Sequence, residues 1–331
     1  CTAYRRSLLT GGQRLAVVVA RQHGRISLIL PMAVARNAGV KTLQWMGLPA
    51  SQYGDVIVKD PEVSRDLILA ALAFAIRETG ADMLWVRKVR DDAAISPALQ
   101  QLGAKAVSES AAPFVDLSSC STVDDHMRRL SSNARKQSRR RRRRLEEQGK
   151  VEFTWYGRGE AAAAAAVKAM RLKRETLGQA SRLTAVDACL EDFFASVCRD
   201  GAGPVEPAVS VLTLDREPIA YEIGLVHGSY YVAHIGVYDP SLGQHSPGTL
   251  QIFETIAACI GQGIRTYDLL APADNYKMSI ANDVMRVCDY ALAVSSIGTL
   301  YKRSVVDVGV PLLTQLRNQS VRLMRNRIQQ S

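Results

Sequence analysis

Residues 230–254 read YYVAHIGVYDPSLGQHSPGTLQIFE, and the fold turns on how this stretch changes character. Tyr230–Tyr238 is rich in aromatic and β-branched side chains and reads as a strand. Turn residues follow through Pro247, and Gly248–Gly261 then carries helical spacing. A strand that runs through Gly, Ser and Pro straight into a helix gathers the N–H groups of the first helical turn at one point. The helix dipole adds positive potential there. Those are the local requirements of a phosphate or pyrophosphate site. Gly243 and Gly248 let the backbone approach a ligand closely, and Gln244, His245, Ser246 and Thr249 add side-chain donors. The alternative is an ordinary tight turn ahead of an N-capped helix.

Outward from this stretch, the elements form a repeating order. Ala208–Leu214 and Pro218–Val226 read as a hairpin about Asp215–Glu217, Thr266–Leu270 as a strand after the helix, and Val284–Ser295 as the strand that closes the unit. Val151–Tyr156 (a strand) and the helices Glu160–Leu177 and Asp187–Arg199 precede them. The first third repeats the pattern: strands at Arg14–Ala20, Arg25–Ala35 and Lys41–Met46, a helix from Pro61 to about Thr79, a strand at Asp82–Val89, and closing strands over Ala104–Leu117. Trp45-Met46-Gly47 corresponds to His234-Ile235-Gly236, and Met83–Val86 to Thr266–Leu269. The shared order predicts a duplication. The expected boundaries are a first copy over 1–120, a basic linking helix over 121–150, a second copy over 151–295, and an amphipathic basic helix over 296–331. The chain opens at Cys1 rather than Met, and the helices the first copy lacks are expected upstream of it.

Composition narrows the class. The 331 residues are 47% hydrophobic and 22% charged, as in a globular protein. No apolar run is long enough to span a bilayer as a helix. The six cysteines contain no CxxC pair and histidine is sparse, so no metal site is expected; scattered cysteines in apolar runs fit reduced, buried thiols and a cytoplasmic setting. The formal charge of +10 is concentrated: ten cations and no acid lie between Arg128 and Arg144. The basic balance therefore describes one segment rather than a general nucleic-acid-binding surface.

Asp239-Pro240, Ser246-Pro247-Gly248, Tyr267-Asp268-Leu269-Leu270 and Tyr276-Lys277, with the earlier Arg135, Arg140-Arg141 and Arg144-Leu145-Glu146, together resemble the CelD/BcsL-like (BioF2-like) branch of the GNAT acyltransferases, and more distantly the Fem peptidyltransferases. The resemblance covers about residues 117–293. It implies an α/β (α+β) fold of tandem GNAT-like mixed sheets flanked by helices, the first copy degenerate. It also implies direct acyl transfer from acetyl-CoA or another acyl-CoA, as co-substrate, to a nitrogen or oxygen of a cell-envelope or exopolysaccharide-related acceptor. The donor would lie where the strands around Tyr231–Val237 and Thr266–Leu270 splay apart, against the main chain of Ile235, Gly236 and Val237. Its pyrophosphate would sit on Gln244, His245, Ser246, Pro247, Gly248 and Thr249. That hexapeptide replaces the Arg/Gln-x-x-Gly-x-Gly/Ala loop of commoner GNATs.

Strand alternation supplies candidates for the proton transfers. Val232, His234, Gly236 and Tyr238 are expected on one face, and Ala220, Glu222 and Gly224 on one face of the neighbouring strand, so that Glu222 and His234 both point toward the cleft. His234 suits a base near neutrality, with a hydrogen-bonded strand histidine as the alternative; an ion pair with a nearby arginine is the alternative for Glu222. Asp268 ends a strand on the cleft side, Tyr276 is placed to protonate the departing thiolate, and Lys277 to hold an anionic group of the acceptor. The first copy's loop, Gly47–Asp55, contains an acid and enters no helix, so that copy is expected to bind no cofactor and to shape the acceptor cleft.

The six arginines Arg139, Arg140, Arg141, Arg142, Arg143 and Arg144 point all round a helix and form no single stripe. They are read as a solvated helix partly paired with Glu146 and Glu147. Contact with a polyanion or an anionic membrane surface is the alternative, with peripheral attachment at the inner membrane. Two further functional alternatives stay open: aminoacyl-tRNA-dependent transfer of the Fem type, and a non-catalytic scaffold of polysaccharide synthesis.

Overall fold

A computed structural model describes residues 2–9, 12–60, 65–177, 184–201 and 203–309. In chain order these carry α1 (Thr2–Ser7), β1 (Gln13–Gln22), β2 (Arg25–Asn37), β3 (Val40–Trp45), β4 (Ile57–Val58), α2 (Arg65–Thr79), β5 (Met83–Arg90), α3 (Ser96–Gln101) and β6 (Lys105–Asp116). Next come α4 (Val123–Arg129), α5 (Ser132–Glu146), β7 (Val151–Tyr156), α6 (Glu160–Leu177), α7 (Thr184–Asp200), β8 (Glu206–Leu214), β9 (Glu217–His227) and β10 (Tyr230–Tyr238). A 3-10 turn (Pro240–His245), α8 (Pro247–Gly261), β11 (Thr266–Asp268), α9 (Asn275–Met278), β12 (Asp283–Ala293) and α10 (Ser296–Tyr301) complete the order, with a π-helical segment at Lys302–Gly309. Of the C-terminal helix expected over 296–331, residues 310–331 lie outside the described residues, as does the Pro61 expected to open α2.

Two compact units divide the chain, and neither is continuous in sequence. One joins Thr10–Glu109 to the chain from Arg286 onward; the other joins the first nine residues to Ser110–Met285. In the first unit the strand order is β1-β2-β3-β5-β12, antiparallel except for the parallel pair β3/β5. In the second it is β7-β8-β9-β10-β11-β6, antiparallel except for the parallel pair β10/β11. A three-stranded meander, a crossover through a helix, a parallel strand and an antiparallel closing strand thus occur twice. The fold is mixed α/β.

The closing strands differ from the sequence expectation. Ala104–Leu117 was expected to close the first repeat, and Val284–Ser295 the second. Instead β12 pairs with β5 (Val287↔Arg90 to Ala293↔Met83) and β6 with β11 (Thr266↔Asp116 to Asp268↔Phe114). Alternation tells a strand which face to bury but not which neighbour to pair with. Packing decides it: Val115 and Leu117 join the core of Tyr231, Ile256 and Tyr267, whereas Cys288 and Tyr290 join that of Trp45, Leu72 and Leu84.

In the second unit helices cover both faces of the sheet. α6 presents Ala162, Ala165, Ala166 and Ala169, whose small side chains bring the helix close to Val209, Val211, Tyr221, Ile223, Ile235 and Val237, with Phe194 and Cys198 of α7 filling the layer. On the other face α8 buries Ile252, Ile256, Cys259 and Ile260 against Tyr231 and Tyr267. The basic helix expected over 121–150 is two helices: Ser131 caps α5 by accepting from the Ala134 N–H, after a break at Leu130. Leu145 anchors α5 against Leu212, Ala220 and Leu250.

Candidate functional site

β10 and β11 pair only at Tyr230↔Thr266, Tyr231↔Tyr267 and Val232↔Asp268. β11 then ends, while β10 runs on to Tyr238 along β9. From Ala233 onward, no strand among the described residues pairs with the edge of β10 turned away from β9. At the point of parting, β10 carries a bulge: Ala233 faces Gly224 and Ile235 faces Ile223, leaving His234 as the extra residue.

The bulge reverses the alternation on which the paired roles of His234 and Glu222 rested. Tyr231 and Ala233 pack on the α8 side, Ile235 and Val237 on the α6/α7 side. His234 meets Phe194 of α7 edge-on at 5.0 Å. Glu222 lies on the other face, within the α8 layer. The two proposed proton carriers are therefore separated by the sheet, and Gly236 and Tyr238, expected to share a face with His234, fall on the opposite one.

Glu222 is fully buried and pairs with no arginine among the described residues. It accepts hydrogen bonds from Tyr231 Oη (2.8 Å) and Tyr267 Oη (2.8 and 2.7 Å to its two oxygens). The two phenol rings stack across β10 and β11, 5.0 Å apart and 6° from parallel. Gly224 makes this possible: a Cβ there would lie 2.1 Å from the Tyr231 ring and hydroxyl. Burial pushes the Glu222 carboxyl up to about 7 against the pull of its two phenol donors, and holds both phenols well above their ordinary range. Tyr231 was not singled out from sequence, and Tyr267 entered only as part of the Tyr267–Leu270 motif, with no role of its own. The signal was available: a Tyr on each of two adjacent parallel strands, next to a strand glutamate.

Tyr276, in α9, is half-exposed, and desolvation with Asp274 and Glu222 nearby raises its phenol to about 12, so it keeps its proton at neutral pH. Lys277 and Asp268 are buried and both hold Leu270, whose backbone is left-handed (φ 63°). Asp268 Oδ1 accepts from the Leu270 N–H (2.7 Å), and Lys277 Nζ donates to the Leu270 carbonyl (2.9 Å). Asp268 Oδ2 also accepts from Tyr230 Oη at 2.5 Å. These bonds fix the turn that follows β11 and place Lys277 in the framework of the site rather than at its mouth.

The phosphate loop is more closed than the sequence suggested. Within Pro240–Leu250, the N–H groups of Leu242, Ser246, Thr249 and Leu250 bond to carbonyls of Asp239, Gly243 and, for the last two, Ser246. Asp239 also accepts from the Ser241 N–H. The Gly248 N–H has no acceptor among the described residues, and Ser246 is left-handed (φ 55°, ψ 51°) where the 3-10 turn passes into α8. Beside it is a cavity of about 220 Å³ lined by Gln137, Arg140, Arg141, Arg144, Gln244, His245 and Ser246. Among the described residues no group of His, Cys, Asp and Glu could hold a metal ion.

The family described as Acetyltransferase (GNAT) domain matches residues 132–278, the span from the start of α5 to the end of α9. Residues 132–278 are a GNAT acetyltransferase domain. Through this GNAT domain the chain is an acyl-transfer enzyme. Solved structures agree on the fold. FemX shares 10% identity at a TM-score of 0.60, over 88% of this chain and 90% of that one. The C-terminal domain (DUF2156) of a putative lysylphosphatidylglycerol synthetase from Agrobacterium fabrum shares 11% at 0.56, over 92% and 91%. A conserved protein of unknown function from Bacteroides thetaiotaomicron shares 10% at 0.56, over 88% of each. No curated protein sequence matches. In the GNAT domain the parted strands, the Glu222 cluster and the Ser246 loop all lie within the matched residues. No helix among the described residues is long and apolar enough to cross a membrane.

Proposed function

We propose that the protein transfers an acyl group, acetyl in the first instance, from acyl-CoA directly to a nitrogen or oxygen of a cell-envelope or exopolysaccharide-related acceptor. The observation that carries this reading is the parting of β10 from β11 after Val232↔Asp268. It leaves an open main-chain edge on which the amides of a donor's arm find partners, as an added strand would. The loop Gln244–Thr249 follows β10 at the far end of that edge, and in this reading it takes the pyrophosphate. The resemblance to CelD/BcsL-like proteins supports the choice of acceptor, and peripheral attachment at the inner membrane goes with that acceptor.

In this reading the acceptor's lone pair attacks the thioester carbonyl carbon, with a main-chain N–H of the open edge facing the oxyanion. The C–S bond breaks and the sulfur leaves as thiolate. Tyr276, which holds its proton at neutral pH, offers the sulfur a hydrogen bond. The acceptor's proton passes toward the Glu222–Tyr231–Tyr267 cluster, whose carboxyl is poised near neutrality. Asp268 and Lys277 hold the turn at Leu270, and Lys277 ties to that turn the helix α9 that carries Tyr276.

Titration calorimetry tests the donor. Acetyl-CoA is expected to bind with a micromolar Kd. Heat from aminoacyl-tRNA and none from acetyl-CoA would assign a Fem-type donor instead, a reading to which the exposed arginines of α5 lend some support. Heat from neither would leave a scaffold.

A further inference from the structure

The arginine run has three faces, set by how α5 is held. At about 100° per residue, Ser138, Arg142 and Leu145 fall on one side. Ser138 and Leu145 are buried, and Arg142 is tied to Glu254 of α8 (2.6 Å) and Glu146 (2.8 Å). That side locks the helix's rotation. Arg139 and Arg143 fall on a second side, with Arg143 paired to Glu147. Gln137, Arg140, Arg141 and Arg144 fall within an arc of about 100°, and this arc lines the cavity beside Gln244, His245 and Ser246. The six form no single stripe, but three of them share this one face.

The wall they make is unbalanced. No acid lines the cavity, and among the described residues no carboxylate pairs with Arg140, Arg141 or Arg144. Arg141 reaches only Gln137 Oε1, at 3.2 Å. Opposite, His245 Nδ1 is shielded from solvent without a hydrogen-bond partner, and the neighbouring Gln244 and His245 side chains meet at 3.2 Å. Three guanidiniums held together without a counter-charge repel one another unless an anion joins them. At about 220 Å³ the cavity is smaller than the roughly 300–1,000 Å³ that encloses a whole small ligand, so it takes one charged end of a larger one.

We propose that Arg140, Arg141 and Arg144, with His245, form a phosphate subsite that reads a phosphomonoester carried by the donor in addition to its pyrophosphate. This rests on the acyl-CoA reading above. Coenzyme A carries such a group on its adenosine ribose, and the arginine face sits beside the loop proposed for its pyrophosphate. The run of arginines then makes the enzyme selective for the phosphorylated form of its donor.

Calorimetry on the full chain with inorganic tripolyphosphate, acetyl-CoA and acetyl-dephospho-CoA tests the subsite. The wild type is expected to bind acetyl-CoA at least about tenfold more tightly than the dephospho form, the scale of one charge-assisted contact. The triple variant Arg140→Gln, Arg141→Gln, Arg144→Gln should bind both forms alike and lose tripolyphosphate. The control Arg139→Gln, Arg143→Gln removes charge from the same helix and should keep the discrimination. Equal binding of the two thioesters by the wild type overturns the proposal, as does discrimination retained by the triple variant, or absence of tripolyphosphate binding. Preferential capture of tRNA, lost in the triple variant, would also overturn it. Tripolyphosphate bound by the wild type and lost in the triple variant, with acetyl-CoA silent, would retain the subsite and refute the acyl-CoA reading.

Discussion

Glu222 is ionisable, buried and shared by two phenols, and its titration has a thermodynamic consequence. The unfolded chain releases this proton near 4.5, the folded chain near 7. Between those values the folded state holds a proton that the unfolded state has lost, so the contribution of Glu222 to stability is greatest below pH 4.5 and falls by about 3 kcal/mol as pH rises through 7. Glu222→Gln removes this dependence: between pH 4.5 and 7.5 the melting temperature of the wild type should fall more steeply than that of the variant. Parallel curves would show that the carboxyl titrates near its ordinary value. Tyr276 makes a different prediction, since it is half-exposed and acts on the leaving group. Tyr276→Phe should leave the Kd for acetyl-CoA within about twofold and slow thiol release by about 100-fold; an unchanged rate would remove it from the mechanism.

At the scale of elements, the bulge at His234 and the glycine at position 224 do the shaping. Gly224 is the space in which the Tyr231 ring lies, and Tyr231 is held from its other sides by Tyr267 and by Trp155, 5.6 Å away. Gly224→Ala should therefore cost about 1–3 kcal/mol in unfolding free energy and free one donor from Glu222; a variant as stable as the wild type would mean that β9 and β10 shift to admit the methyl group. Much at this scale was legible. The strand, turn and helix of residues 230–261 were. The facing of His234 was not: an inserted residue leaves no mark in a hydrophobic pattern, and period-two counting past it assigns every later side chain to the wrong face. Nor was the division of the arginines legible, because it depends on Glu254, 110 or more residues away, fixing the helix's rotation.

For the whole molecule, the duplication could be read as a shared order of elements, and the strand order of each unit repeats it. What could not be read is which half supplies each closing strand. Long-range pairing is settled by side-chain fit between cores, here Val115 with Tyr267 and Tyr290 with Leu84, and no local pattern encodes it. A fragment ending at residue 120 keeps β5 but lacks β12. Such a fragment should unfold without cooperativity, whereas one in which residues 283–309 are appended after Glu109 should regain a single denaturant transition. A sharp transition from the shorter fragment alone would refute the dependence.

The same interleaving sets an order on biosynthesis. Residues up to Glu109 leave the ribosome first, yet the strand that covers β5 is not available until Ser110–Met285 has been made. At roughly 5–20 residues per second that is a wait of about 10–35 s. Throughout it the nascent chain displays a bare, apolar strand edge, the kind of surface that chaperones hold and that neighbouring polysomes can cross-link. The second-half core, by contrast, already has β6 in hand when β11 emerges and can assemble as it is translated.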